Sequence, residues 1–146
     1  MKEDVQKLRE LTGAGVMDCK RALDKAKGDF NKAVSIIRER GEVIAQKKKE
    51  RTTGAGFLES YVHNERVGVL LEIRCETDFV ARSKEFRDLA HSLAMQIAAM
   101  DPKDVDDLLG QVYIKDDSVK VESVVKQTLA KFGENIRVER FCRYEL

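Results

Sequence analysis

Asp78 and Phe79 place an acid directly beside a large aromatic residue, in a segment predicted to connect two regular elements. Two interpretations are open. In the first, Phe79 packs on the core and Asp78 accepts hydrogen bonds from nearby backbone N–H groups. In the second, Phe79 enters a crevice of a partner, where burial of one phenylalanine contributes ~1.5–3 kcal/mol, and Asp78 adds a charge beside it. In the second interpretation, Asp78 and Phe79 bind a partner without forming a covalent bond.

Covalent catalysis has little support among the remaining reactive side chains. His63 is expected at an exposed strand end and His91 on the polar side of a helix, and neither has an orienting partner nearby in the sequence. The three cysteines, Cys19, Cys75 and Cys142, are odd in number and lack C-x-x-C spacing. They predict reduced, mostly buried thiols, without a zinc site or a disulfide framework. No catalytic residue, metal or cofactor is therefore expected, and the chain is not predicted to be an enzyme.

Glycine-rich and lysine-rich segments also lack the signatures of ligand sites. Residues 13–15 and 54–56 are Gly-Ala-Gly, without the third glycine of a dinucleotide-binding loop or the G-K-[ST] ending of a P-loop. The lysine-rich residues 46–51 contain no aromatic side chain and are interrupted by Glu50. The whole chain balances 27 basic against 26 acidic residues, for a net charge of +1. A solvated segment therefore fits the run better than an RNA-binding site.

Alternating apolar residues before the Asp78-Phe79 pair predict a strand, and a three-four spacing after it predicts a helix. The alternation covers residues 67–75, and the helical spacing covers residues 86–98, with Ser83 as the expected N-cap. Residues 77–82 are therefore a short strand-to-helix connection. Such a connection can present side chains that belong to neither buried face.

Three short helices are predicted for residues 1–41, divided by the glycines of residues 13–15 and by Gly28-Asp29, with Gly41 at the end of the third. Residues 42–55 are predicted to be a polar linker. Residues 56–146 are then a second, larger domain.

The second domain is predicted to combine strands and helices. Residues 57–63 and 66–75 form a hairpin around Asn64-Glu65, Ser118 caps a helix that ends at Gly133, and residues 136–146 form a last strand. In that strand Val138, Cys142, Tyr144 and Leu146 are expected on one face. The predicted fold class is α+β, with a three-stranded antiparallel sheet covered by helices.

Three segments resemble the elongation factor Ts family. They are Cys-Glu-Thr-Asp-Phe-Val at residues 75–80, the Leu-Arg-Glu-Leu-Thr-Gly-Ala-Gly-Val-Met-Asp-Cys-Lys-Arg-Ala-Leu segment at residues 8–23, and Ala-Lys-Phe-Gly-Glu-Asn-Ile-Arg-Val at residues 130–138. The two longer motifs, in this order and spacing, are specific. The resemblance covers residues 5–41 and 56–146.

The resemblance implies a guanine nucleotide exchange factor for the GTPase elongation factor Tu. It implies that residues 1–41 form a domain of the ubiquitin-associated (UBA) type, which docks on the GTPase, while the connection inserts near the Mg²⁺ and nucleotide site. The implied exchange-loop contacts are Thr77, Asp78, Phe79 and Val80. The implied contacts of the amino-terminal domain are Arg9, Leu11, Val16, Met17 and Lys20, although Leu11 and Val16 fit a core position equally well. Phe132 and Gly133 are implied secondary contacts, and Glu134-Asn135 are expected to shape their turn.

The chain departs from the family pattern at residues 100–115, where fuller members carry a helical protrusion and often a second core unit. For such a compact member, the resemblance implies a homodimer joined partly through the core sheet. Cys142 could lie at that interface, the alternative being a buried thiol.

Without an apolar run of eighteen residues or a signal segment, a cytoplasmic location is expected, with no membrane and no nucleic acid as partner.

Two other functions stay open. One is an RNA- or ribosome-binding module that uses the lysine run, whose affinity would fall steeply with salt. The other is an adaptor in which residues 1–41 alone bind a ubiquitin-like surface and Phe79 is irrelevant.

Overall fold

Seven helices and five strands make up the computed structural model, which describes all 146 residues. The elements are α1 (Lys2–Thr12), α2 (Val16–Lys25), α3 (Phe30–Lys48), β1 (Ala55–His63), β2 (Val67–Cys75), α4 (Asp78–Ala81), α5 (Lys84–Met100), α6 (Val105–Gly110), β3 (Val112–Tyr113), β4 (Asp116–Lys120), α7 (Val121–Phe132) and β5 (Arg137–Glu145). The predicted α+β class with a three-stranded antiparallel sheet is confirmed. No helix is long and apolar enough to cross a membrane.

The first two helices begin and end largely where the sequence predicts, and the third begins there. Gly13 closes α1 in the left-handed conformation, with φ 69°, and its N–H donates to Arg9 O at 2.8 Å. Asp29 caps α3 by accepting from Lys32 N at 3.0 Å. The helices enclose a small core of their own, separate from the main one; its members are Leu8, Cys19, Ala22, Leu23, Ala26, Ala33, Val34 and Ile37. The assignment of this three-helix unit to the UBA type remains a prediction.

The third helix is longer than predicted. Gly41 lies inside α3, which continues to Lys48, so the prediction that the helix ends at Gly41 is wrong. The first part of the predicted polar linker is therefore helical, and Ala45 there belongs to the main core. Gly41 is tolerated because α3 packs on α7 at this point, with the Gln127 side chain directly against the glycine. The division into domains at residues 41 and 56 remains a prediction.

The main sheet has the strand order β1-β2-β5, with both pairs antiparallel. Alternate residues of β2, Val69, Leu71, Ile73 and Cys75, are buried in the main core, which also contains the apolar side of α5. The hairpin turn lies at the predicted place: Asn64 and Glu65 have positive φ, and Arg66 N donates to His63 O at 3.0 Å. The opposite face of the sheet has no covering element.

The last strand changes faces along its length. Ile73 pairs with Val138 but Glu72 pairs with Arg140, so Glu139 is an extra residue in β5. As a result Val138 is buried in the core, whereas Cys142 and Tyr144 are exposed. The prediction that these three side chains share one face is therefore wrong.

A compact connection links α5 to α7 through α6 and the β3-β4 hairpin. The fully buried Gln96 of α5 holds this hairpin: its Oε1 accepts from Ile114 N at 2.8 Å and its Nε2 donates to Val112 O at 3.0 Å. Ser118 does not cap the following helix, as predicted, because it lies within β4 and donates to Asp116. Lys120 precedes the first residue of α7, and Gly133 closes that helix as predicted, with φ 68°.

Candidate partner-binding loop

A single helical turn, α4, occupies most of the connection between β2 and α5. Thr77 Oγ1 accepts from Val80 N at 3.3 Å and caps this turn. Ser83 Oγ accepts from Phe86 N at 3.3 Å and caps α5, as predicted, while its hydroxyl donates to Val80 O at 2.7 Å. Two caps within seven residues therefore define the backbone of the loop.

The side chains of this turn divide between core and solvent. Val80 and Ala81 are buried, at 3% and 4% exposure, and fix the turn on the core. Phe79 is 85% exposed and Asp78 is also exposed. The interpretation in which Phe79 packs back on the core is therefore wrong. An aromatic ring held away from its own core by a capped helical turn is available for contact with another molecule.

Glu134, from the connection between α7 and β5, is also part of this site. Sequence reasoning did not predict this role for Glu134. Its Oε1 accepts from Glu76 N at 3.1 Å and from Thr77 N at 2.9 Å, and its Oε2 accepts from the Thr77 hydroxyl at 2.8 Å. In return, Asn135 N donates to Glu76 Oε1 at 2.7 Å. The Glu134-Asn135 pair thus does more than shape its own turn. No local pattern signals a contact between residues 57 positions apart.

The thiol of Cys75 supports the same loop from the core side. Its Sγ donates to Thr77 O at 3.2 Å. Burial, reinforced by the negative charge of Glu134, raises the pKa of Cys75 to about 11. The group is therefore a neutral, structural thiol at neutral pH, as predicted, and not a nucleophile.

The five predicted contacts of the amino-terminal unit all reach solvent. Leu11, Val16 and Met17 surround the turn between α1 and α2 and are 62%, 49% and 56% exposed. Arg9 and Lys20 are exposed on either side of them. Leu11 and Val16 are thus not core residues, and the turn presents an apolar surface with flanking positive charge.

The secondary contacts lie at the end of α7. Phe132 is half-buried and packs against the main core, and Gly133 N donates to Leu129 O at 2.8 Å. The residues that follow, Glu134 and Asn135, are hydrogen-bonded to Thr77 and Glu76 at the start of the connection that carries Phe79. Phe132 therefore offers less free surface to another molecule than Phe79 does.

Both histidines have partners, contrary to expectation for His91. His91 Nδ1 lies 3.1 Å from Glu59 Oε1, and His63 Nδ1 lies 2.8 Å from the Tyr61 hydroxyl. No local pattern indicates Glu59 as a partner of His91, because Glu59 belongs to β1 and is 32 residues away. No group of three or more His, Cys, Asp or Glu side chains is arranged to hold a metal ion.

The part of the chain that contains the loop of Phe79 is similar in sequence to a known protein family. The sequence model of the family described as "Elongation factor TS" matches residues 76–146, which include Phe79 and Glu134. "Elongation factor Ts" of Thermotoga maritima is 44% identical over 186 residues, covering 97% of this chain and 94% of the relative. The proteins of the same name from Thermodesulfovibrio yellowstonii and Pseudothermotoga lettingae are 39% and 43% identical, with similar coverage. The chain belongs to the elongation factor Ts family, and the predicted resemblance is confirmed.

The relatives are longer than this chain. The alignment with the Thermotoga maritima protein spans 186 positions, whereas the chain has 146 residues, so at least 40 aligned positions have no counterpart here. The sequence places this loss at residues 100–115, the part of the structure built from α6 and the β3-β4 hairpin. That location remains a prediction.

Proposed function

We propose that this chain promotes the release of GDP from elongation factor Tu, and that the loop of Phe79 enters the GTPase near its Mg²⁺ and nucleotide site. Membership of the elongation factor Ts family supports exchange as the activity. The observation that carries the mechanism is the 85% exposure of Phe79 on a turn whose backbone is capped and hydrogen-bonded on both sides. An anchored aromatic side chain loses little conformational freedom when it binds.

The thermodynamic basis is linkage. A factor that binds the nucleotide-free GTPase more tightly than the GDP-bound form lowers GDP affinity by the same ratio, and GDP in turn expels the factor. Burial of Phe79 in a crevice present only in the open form contributes ~1.5–3 kcal/mol, or roughly 10- to 150-fold in that ratio. No covalent bond changes, so the protein is not an enzyme.

The remaining contacts have separate roles in this proposal. The apolar turn of Leu11, Val16 and Met17, with Arg9 and Lys20 beside it, docks on the GTPase domain and sets the affinity of the complex. Asp78 and its neighbours Thr77 and Val80 bring charge and backbone groups to the nucleotide site, while Phe132 and Gly133 add a secondary contact. The exposure of these side chains, or half-exposure for Phe132 and Gly133, permits these roles, except at Val80, whose side chain is buried at 3% exposure and which therefore acts by fixing the turn on the core.

The test is the release of a fluorescent GDP analogue from purified elongation factor Tu, followed by stopped flow in excess unlabelled GDP. We expect wild-type protein to accelerate release, and Phe79→Ala to reduce the maximal acceleration by roughly tenfold or more. Met100→Ala, which also removes an exposed apolar side chain but outside the loop, is the matched control. Full activity of Phe79→Ala would move the mechanism to the amino-terminal unit. Absence of any acceleration by the wild type would refute the exchange function.

RNA binding measured at low and high salt, and binding by residues 1–41 alone, separate the alternative functions when they are compared with GDP release. A steep loss of affinity for RNA with salt, together with inactivity towards elongation factor Tu, would support the RNA-binding module. Binding by residues 1–41 alone, with Phe79→Ala unaffected, would support the adaptor. We expect neither, and we expect the protein to act in the cytoplasm.

We also propose that two copies of the chain associate through the uncovered face of the main sheet. Its exposed side chains Leu58 and Val62 of β1, Leu70 of β2 and Tyr144 of β5 form an apolar surface, and Cys142 lies beside Leu70 in the register. Glu72 borders this surface and accepts from Arg74 and Arg140 at 2.9 and 3.0 Å. A single-core chain gains a second partner-binding loop by such a symmetric association.

A further inference from the structure

Two loops distant in the sequence hold each other through reciprocal hydrogen bonds beside Phe79. Glu134 accepts from Glu76 N, Thr77 N and the Thr77 hydroxyl, while Asn135 N donates to the Glu76 carboxylate. Bonds to a charged carboxylate are shorter and stronger than those between neutral groups. We call this arrangement the carboxylate clamp, comprising residues 76, 77, 134 and 135.

The clamp acts on the residue that starts the exposed turn. Thr77 is the N-cap of α4, so its position sets the direction in which α4 begins. Phe79 is the second residue of α4 and has almost no contact with its own core. The direction of its ring therefore depends on the backbone of α4, and thus on the partners that hold Thr77.

The same loop also holds the segment that follows α3. Asn135 Nδ2 donates to Lys49 O at 3.2 Å and to Arg51 O at 2.9 Å, and Arg51 lies 3.6 Å from the Glu76 carboxylate. Asn135 is 5% exposed, so these bonds are made in a largely water-free site. The end of the helical amino-terminal unit and the start of the Phe79 turn are thus fixed on one connection.

We propose that Glu134 is a positioning residue for exchange: it holds Thr77, and through Thr77 the α4 turn, so that Phe79 is presented in its binding orientation before the partner arrives. This inference rests on the proposed exchange function. It assigns Glu134 no contact with the GTPase. Preorganisation of this kind increases the effect of a contact without adding one.

The first experiment examines the clamp without using activity. Amide hydrogen exchange measured by NMR is compared in wild-type protein, Glu134→Ala and the control Glu139→Ala. Glu139 is an exposed carboxylate of β5 whose ion-pair partner is the neighbouring Arg137. We expect Glu134→Ala to accelerate exchange at the hydrogen-bonded amides of Glu76, Thr77 and Val80 by at least about tenfold, the equivalent of ~1.4 kcal/mol, with the centre of β2 unchanged. Unchanged protection at these three amides would overturn the clamp, whatever the activity.

The second experiment measures exchange kinetics against the concentration of the factor. We expect Glu134→Ala to lower the maximal rate of GDP release by roughly tenfold while the half-saturating concentration changes less than about threefold, because docking by the amino-terminal unit is retained. Glu134→Gln should restore most of the rate, because its amide oxygen can still accept from Glu76 N and Thr77 N. A loss confined to the half-saturating concentration, or no rescue by glutamine, would contradict the proposal.

A double-mutant cycle then separates positioning from general destabilisation. If Glu134 acts through Phe79, Glu134→Ala should have almost no further effect in the Phe79→Ala background. Additive losses would show that Glu134 acts independently and would overturn the inference. An inactive wild type would instead refute the exchange function, while the amide measurement would still report on the clamp.

Discussion

Gln127 of α7 lies directly against Gly41 of α3, so closely that a Cβ at position 41 would be 2.7 Å from Gln127 Nε2. The same nitrogen donates to Arg38 O at 3.2 Å, one turn earlier in α3. A glycine inside a helix is usually a weak point. Here the glycine permits close packing of α3 on α7. The helix α3 leads from the amino-terminal unit into the main core.

This contact predicts a graded response to substitution of Gly41. Gly41→Ala should change the free energy of unfolding by less than about 1 kcal/mol, because higher helix propensity offsets the displacement of the flexible Gln127 side chain. Gly41→Val should destabilise by about 1–3 kcal/mol, because the added methyl groups force α3 and α7 apart. Urea denaturation measures both. Equal stability of the valine and alanine variants would show that the helices do not pack closely at this point.

The proposed dimer predicts that a charge on the uncovered sheet face dissociates it. Leu70→Glu should halve the molar mass measured by sedimentation equilibrium, because burial of an unpaired carboxylate at an apolar interface is unfavourable. Val43→Glu, a similar change at an exposed position of α3, is the control and should leave the mass unchanged. Faster labelling of the Cys142 thiol in Leu70→Glu would place that residue at the interface. A monomeric wild type would refute the association.

The raised pKa of Cys75 predicts a loss of stability at alkaline pH. An unperturbed thiol ionises near 9.0, whereas the buried Cys75 retains its proton to about 11. Between these values the folded state binds one proton more than the unfolded state, so the free energy of unfolding decreases as the pH rises. Urea midpoints measured between pH 8 and 11 should therefore fall more steeply for wild-type protein than for Cys75→Ala. Parallel slopes would show that Cys75 ionises normally in the folded protein.

The elements beside the site were predictable because their signals are local. The alternation in β2, the three-four spacing in α5 and the Ser83 cap all depend on residues that are close in the sequence. The site itself was only half predictable. Residue types singled out Phe79, but they did not decide whether its ring or the neighbouring Val80 side chain would be buried, and in the structure Val80 is buried and Phe79 is exposed.

The failures share a cause in long-range packing. Gly41 resembles a helix end until α7 is known to pass beside it, and Ser118 resembles a cap until β4 pairs with β3. Glu134 resembles a turn residue until its hydrogen-bonding partners in the loop before α4 are known. In each case the deciding partner is remote in the sequence or belongs to another element, and periodicity within one segment does not report it.

The extra residue in β5 changes which side chains of that strand face the core. Before Glu139 the strand contributes Val138 to the core, and after it the strand contributes Cys142 and Tyr144 to the open face. Deletion of Glu139 would remove the bulge and keep the register, with Arg140 opposite Glu72 and Phe141 opposite Leu71, so Cys142 and Tyr144 would stay on the open face. For protein engineering, the core positions of this strand are even-numbered before Glu139 and odd-numbered after it. The strand can lose a residue at Glu139 without changing faces, whereas a deletion within residues 140–145 inverts the faces of the residues that follow.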